Sequence, residues 1–198
     1  CVSVHGANRL GGNSLLDILV FGRLSGLDIL AYLDENPHHR STHSASEERA
    51  MTRFQRFDRE GEGIGVAELR EEFRRVMEDH AGVFRTEEIM AEGVEKVKRI
   101  RERLDEVRLR DRSRTFNTAR VEAFELENLI DVGISIIIAA QARKESRGAH
   151  SRPDFPRRDD RNWMRHSLYF REQDRLDYKP VRTRPLTVES FPPKERVY

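Results

Sequence analysis

The stretch His5-Gly6-Ala7-Asn8-Arg9-Leu10-Gly11-Gly12-Asn13-Ser14-Leu15-Leu16 concentrates the residue types best able to do chemistry in this chain. Its glycines let the backbone turn tightly, and the apolar run that follows reads as a helix opening at about Ser14. A helix start headed by such a turn presents unpaired N–H groups and the positive end of the helix dipole. That favours an anion or an electron-rich ring edge. Arg9 sits in the turn, where a guanidinium can hold a carboxylate through two parallel hydrogen bonds. The same residues also suit a plain capped helix with Arg9 in a surface ion pair. Two nucleotide signatures are excluded. In the phosphate-binding pattern G-x4-G-K-[ST], Gly12 and Asn13 fall at the Lys and Ser/Thr places. The dinucleotide fingerprint fails on spacing.

Three other groups carry weaker signals. Asp58, Glu60 and Glu62 before Gly63 resemble the opening of a calcium loop. Such a loop needs a bidentate Glu at its twelfth position, and here that position is Leu69, so a glycine-rich turn is the better reading. His38, His39 and His43 lie in a polar segment without the rigid support a zinc site requires. From Glu145 to Asp160, opposite charges alternate after a helix end. They read as an ion-pair network locking down a tail, with a partner surface as the alternative. His150 has acid/base chemistry, but no nucleophile or metal ligand stands beside it in sequence.

Composition limits the function classes. Of 198 residues, 37% are hydrophobic and 36% charged, and the formal net charge is only +1. Near-cancelling charge gives no bulk field for a polyanion, so nucleic acid is not an expected partner. The single cysteine, Cys1, excludes an intrachain disulfide and a cysteine-based metal site. The most apolar run, 134–140 within 129–142, is far short of the about 20 residues that a membrane span needs. The chain starts at Cys1 without Met, and Val2-Ser3-Val4 is only the stub of a strand. It reads as a piece cut from a longer protein.

The elements that must position these residues are mainly α. Residues 1–33 read as the end of a larger domain: the Gly-rich turn plus a helix that is apolar nearly all round at Leu15, Leu16, Leu19, Val20 and Leu24. Such a helix is expected to be deeply buried, with Asn13 or Ser14 as its cap. Residues 34–46 are a polar linker. Residues 47–147 carry helices over about 47–57, 66–80, 86–109 and 118–146, with narrow apolar stripes that suit an antiparallel bundle. Residues 148–198 hold six prolines, which exclude long helices. They read as an extended tail strapped over a larger body, with short strands over 163–170 and 181–188.

HGANRLGGNSLLDILVFGR resembles the start of the C-terminal third of the flavoprotein subunits of the succinate dehydrogenase/fumarate reductase family. FRTEEIMAEGVEKVKRIRERL, FNTARVEAFELENL, ARKESRGAHSRPDFPRRDDRNWMRHSL and the ending PPKERVY are similar to later blocks of the same family. The ordered blocks cover essentially the whole chain, and the GGNSLLD, RDDRNWM and PPKERVY forms point to succinate dehydrogenase rather than fumarate reductase. The resemblance implies that residues 1–33 end an FAD-binding domain and that succinate is oxidised to fumarate with hydride transfer to a covalently held FAD. It implies that Arg9 grips a substrate carboxylate, that Ser14 and Leu15 contact FAD, and that the Gly12 amide reaches the substrate. The implied partners are an iron–sulfur subunit and membrane anchor subunits, passing electrons to quinone, with the protein peripheral on the cytoplasmic face of a bacterial inner membrane. The family's Gly-rich fingerprint, its flavin-carrying histidine, its proton-transferring arginine and its capping-domain histidines all lie upstream of these blocks. No catalytic or metal-binding residue is therefore expected on this chain, and the piece alone is expected neither to hold FAD nor to oxidise succinate. The rival readings are a fumarate reductase flavoprotein and a non-catalytic helical interaction module. The module would have no use for an all-round apolar helix headed by a Gly-rich turn.

Overall fold

The computed structural model describes residues 5, 8, 9 and 11–194. Its order is α1 Asn13–Glu35, α2 Ser44–Gln55, α3 Val66–Ala81, α4 Glu87–Glu102, α5 Thr118–Ala142 and α6 Asp160–Trp163, then β1 Arg165–Phe170 and β2 Arg175–Pro180. Short 3-10 turns over Arg103–Glu106 and Arg171–Gln173 follow α4 and join the strands. Among the described residues no helix is long and apolar enough to cross a membrane.

The core lies where α3, α4 and α5 pack on one another. Leu69 and Phe73 of α3 meet Val97 and Ile100 of α4 and Ala123, Leu126, Ile130 and Ile134 of α5. Phe57, Leu104, Val107 and Leu109 complete the cluster. Each fully buried large apolar side chain contributes about 1.5–3 kcal/mol, so this stripe-on-stripe contact dominates the fold. Thr86 caps α4 by accepting the Ile89 N–H at 3.4 Å. Glu87 and Glu88 open that helix and Arg99 and Arg101 close it, each matching the dipole. α4 ends at Glu102 and tightens into a 3-10 turn, shorter than the helix over 86–109 that its stripe suggests.

The packing depends on one close approach. A Cβ at Gly93 would lie 2.4 Å from the His80 Cβ and 2.6 Å from the Ile137 Cδ1. Alanine there gains about 1 kcal/mol of helix propensity. Forcing α3, α4 and α5 apart costs about 1–3 kcal/mol or more. Gly93→Ala is therefore expected to lower stability, read as a lower midpoint in urea unfolding.

Three expectations need correction. α5 starts at Thr118, capped by the Asn117 side chain, which accepts the Arg120 N–H at 2.8 Å, but it stops at Ala142 and not at about 146. The second strand is Arg175–Pro180, not 181–188. It pairs antiparallel with β1 from Arg165↔Pro180 to Phe170↔Arg175. A left-handed Asp174 (φ 45°) turns the chain between the strands. Its carboxylate accepts from Tyr169 Oη at 2.6 Å and Lys98 Nζ at 2.7 Å, which ties the hairpin to α4. Third, α1 has no buried residue. The deep burial its sequence calls for is not supplied by any described element.

Candidate functional site

The candidate site is the head of α1. Gly12 adopts φ 83°, ψ −34°, a left-handed conformation that favours glycine. An added Cβ at Gly11 or Gly12 would meet nothing within 4 Å, so both glycines face open space. Gly12 is the N-cap and no side chain accepts a hydrogen bond there. The expected capping by Asn13 or Ser14 is thus not made, because the helix begins one residue earlier, at Asn13. The first turn contains no acidic residue. The leading N–H groups of a helix have no intrahelical partner, and here no side-chain cap or carboxylate on the same turn claims them.

Ser14 and Leu15 occupy the second and third positions of this helix, and Arg9 lies three residues before its cap. Arg9 is exposed, Leu15 is 66% exposed, and Ser14 is half-buried. The three predicted site residues are thus gathered at one helix end. Gly6 of the turn lies outside the described residues. One neighbour that sequence reasoning passed over is Asp17, whose Oδ2 lies 3.2 Å from the His5 Nε2.

The charged segment after α5 forms the ion-pair network foreseen as a tail lock. Glu145 is fully buried. Its carboxylate accepts from Arg143 Nη1 and Arg147 Nε at 2.8 Å, and from Arg147 Nη2 and the Asp159 N–H at 2.9 Å. Burial alone would raise its pKa, but these donors outweigh burial and leave it lowered. Arg152, also fully buried, donates to both oxygens of Asp154 and to Glu87 Oε2. The Glu87 N–H in turn donates to Asp154 at 2.8 Å, so α4 and the tail share one carboxylate.

His150 is tied into the same network. Its Nδ1 accepts from Arg85 Nη1 at 3.1 Å, and its Nε2 is 3.1 Å from the Arg143 carbonyl oxygen. Burial, reinforced by the Arg85, Arg152 and Arg143 charges, holds its pKa below the usual value. The neutral ring fits both contacts.

Asp154 makes the lock acid-labile. Hydrogen bonding from Arg152 lowers its pKa from 3.8 to about 2. A depressed folded-state pKa gives stability that is complete above the unfolded value and is lost as pH falls through the folded one. The tail is therefore expected to loosen between about pH 4 and pH 2, read as faster amide exchange over residues 146–160. Asp154→Asn is expected to flatten that pH dependence.

Two carboxylates of the acidic group, Asp58 and Glu60, are held by arginines. Arg120 donates to both oxygens of Asp58, at 2.6 and 3.0 Å, and Arg112 donates to Glu60. His38, His39 and His43 are exposed. Among the described residues no three His, Cys, Asp or Glu side chains gather as a metal site.

Residues 70–198 match the family model described as fumarate reductase flavoprotein C-term. The chain is 47% identical over 196 residues to the succinate dehydrogenase flavoprotein subunit of Coxiella burnetii, covering 99% of this chain and 33% of that protein. It is 39% identical over 207 residues to the fumarate reductase flavoprotein subunit of Mycobacterium tuberculosis, covering all of this chain and 35% of the relative. A solved chain of the Escherichia coli quinol fumarate reductase superposes with a TM-score of 0.84 at 36% identity, over 98% of this chain and 33% of its own length. The chain thus spans about a third of the length of the curated relatives it matches.

Proposed function

Because the chain belongs to the fumarate reductase and succinate dehydrogenase flavoprotein family, we propose that it forms the C-terminal part of a flavoprotein subunit that oxidises succinate to fumarate. The observation that carries this is the head of α1, where an uncapped, carboxylate-free helix start bearing Ser14 and Leu15 follows directly on Arg9.

The residues present fit an FAD. The donor set is backbone N–H at a dipole's positive end, suited to the electron-rich pyrimidine edge of a flavin. When bound, FAD supplies the acceptor for the hydride removed from succinate. Ser14 and Leu15 hold negative charge at that edge through their amides, at no cost in reorganisation. Arg9 grips one substrate carboxylate with both guanidinium arms and so fixes which C–H bond faces the flavin. The Gly12 amide reaches the same substrate.

The body of α1 supports this placement. It exposes twelve large apolar side chains, from Leu15 to Leu33, along all its sides. A helix apolar all round belongs in the interior of a larger unit. Here that unit is the FAD-binding domain, whose last helix α1 forms. A stand-alone interaction module built on α3–α5 gives α1 no role. The three-helix core and locked tail then lie at the periphery, beside an iron–sulfur subunit that carries electrons toward membrane anchor subunits and quinone. On this reading the subunit is peripheral, on the cytoplasmic face of a bacterial inner membrane. Residues 1–198 alone hold only half of each site, and so neither retain FAD nor oxidise succinate.

Two assays test the reading. The full-length subunit in its complex is expected to reduce an artificial electron acceptor when given succinate, and the purified 198-residue piece to elute free of flavin. Stoichiometric flavin on the piece, or a flavin-loaded complex inert to succinate, overturns it. Fumarate reduction is the second reading, favoured by the family model and the E. coli likeness. Measuring both directions on the same complex decides between them.

A further inference from the structure

We propose that His5 and Asp17 form a positioning clasp that closes the substrate-gripping turn onto α1 and so sets where Arg9 stands. The inference rests on the assignment of Arg9 as the carboxylate grip.

Three observations carry it. The His5 side chain is only 4% exposed, and Asp17 only 18%, in a region where α1 otherwise lies open. His5 Nε2 stands 3.2 Å from Asp17 Oδ2, joining residues twelve apart. Ser14 and Asp17 are the two residues of α1 that are not fully exposed. They are three apart, so they share one face of the helix. His5 therefore lies against the face of α1 that carries Ser14, one turn further along.

The chemistry gives the contact a direction. A carboxylate oxygen accepts hydrogen bonds, so Nε2–H is the donor in this contact. The closed ring of residues 5–17 contains Arg9, Gly12, Ser14 and Leu15. Left-handed Gly12 makes the turn possible, but glycine at 11 and 12 leaves it pliant. A pliant turn holds a guanidinium poorly unless a second point ties it down. His5 and Asp17 supply that point. Misplacing a gripping group by about 1 Å is enough to cost on the order of 10²-fold in rate.

The test uses the full-length flavoprotein in its complex. The readout is the dissociation constant of a non-reacting dicarboxylate, malonate, followed by its perturbation of the flavin spectrum and normalised to bound flavin. His5→Ala and Asp17→Ala are each expected to weaken malonate about tenfold and to lower kcat for succinate. The double variant is expected to be no worse than either single beyond twofold, because both remove one contact. His5→Gln, whose amide nitrogen reaches where Nε2 lies, is expected to restore binding to within about threefold. His5→Asn, which reaches only where Nδ1 lies, is not. This pair decides the question even where alanine yields no flavin-loaded protein. A merely structural role would lower flavin content and leave malonate affinity per flavin unchanged, and that result overturns the proposal. So do single effects that multiply in the double variant. Arg9→Lys is measured alongside. If it leaves malonate affinity intact, the Arg9 assignment itself fails; if it weakens malonate while the His5 and Asp17 variants do not, only the clasp fails.

Discussion

Arg9→Gln in the full-length flavoprotein is expected to lower kcat/KM for succinate by about 10²- to 10³-fold. Truncating one partner of a desolvated, hydrogen-bonded charge pair costs about 2–5 kcal/mol, and each 1.4 kcal/mol is tenfold. Glutamine keeps much of the length of the side chain but removes the charge and one arm of the fork. Arg9→Lys keeps the charge but loses the planar, two-armed geometry, so it is expected to fall between wild type and Arg9→Gln. The division between constants is informative. Loss of grip alone raises KM, whereas loss of orientation lowers kcat as well. On the proposed assignment Arg9 both binds and aims the substrate, so both constants are expected to move, while flavin content stays at the wild-type level. Steady-state assays normalised to bound flavin check this. A kcat/KM within threefold of wild type would remove Arg9 from the substrate site.

How far the sequence reveals this molecule varies by element, for physical reasons. The stripes on α3 and α4 are legible because each helix buries one narrow face, and period-3.6 spacing reports that geometry directly. Leu69, Phe73, Val97 and Ile100 all enter the core. β2 is not legible. Arg175–Pro180 reads RLDYKP, and only Leu176 and Tyr178 turn inward, at partial burial. The β-branched residues after Pro180 carry more strand propensity, but β1 offers its register to the nearer segment through the Asp174 turn. α1 presents the opposite case. Its apolar content is fully visible in sequence, yet no described element packs on it, because burial is a property of the neighbours as well as of the helix.

The site divides in the same way. Gly11, Gly12 and Arg9 stand out by type, since few arrangements need two glycines beside an arginine at a helix start. His5 and Asp17 do not stand out, because twelve residues separate them and neither belongs to a known spacing. The lock around Glu145 and Arg152 is legible as alternating charge. Which charges are buried is not, because burial depends on Glu87 and Arg85, some 60 residues away.

That lock carries the largest expected effect on stability. Glu145→Ala is expected to destabilise the protein by roughly 3–5 kcal/mol, the cost of stranding the partners of a buried ion pair. Four donors lose their acceptor at once: one from Arg143, two from Arg147 and the Asp159 N–H. Arg143 also donates to the Trp163 and Arg165 carbonyl oxygens and to Ser167 Oγ, so its displacement loosens the start of β1. Arg147 still reaches Asp160 at 2.7 Å, which holds the effect below complete unfolding. Glu145→Gln keeps the shape but has one acceptor oxygen in place of two, and its amide nitrogen points donor against donor. It is expected to be nearly as harmful as alanine. Were the lock only a surface tether, both variants would fall within about 1 kcal/mol of wild type, as exposed ion pairs do. Chemical denaturation separates these outcomes, and amide exchange locates the loss in residues 143–180, leaving the α3–α5 core protected.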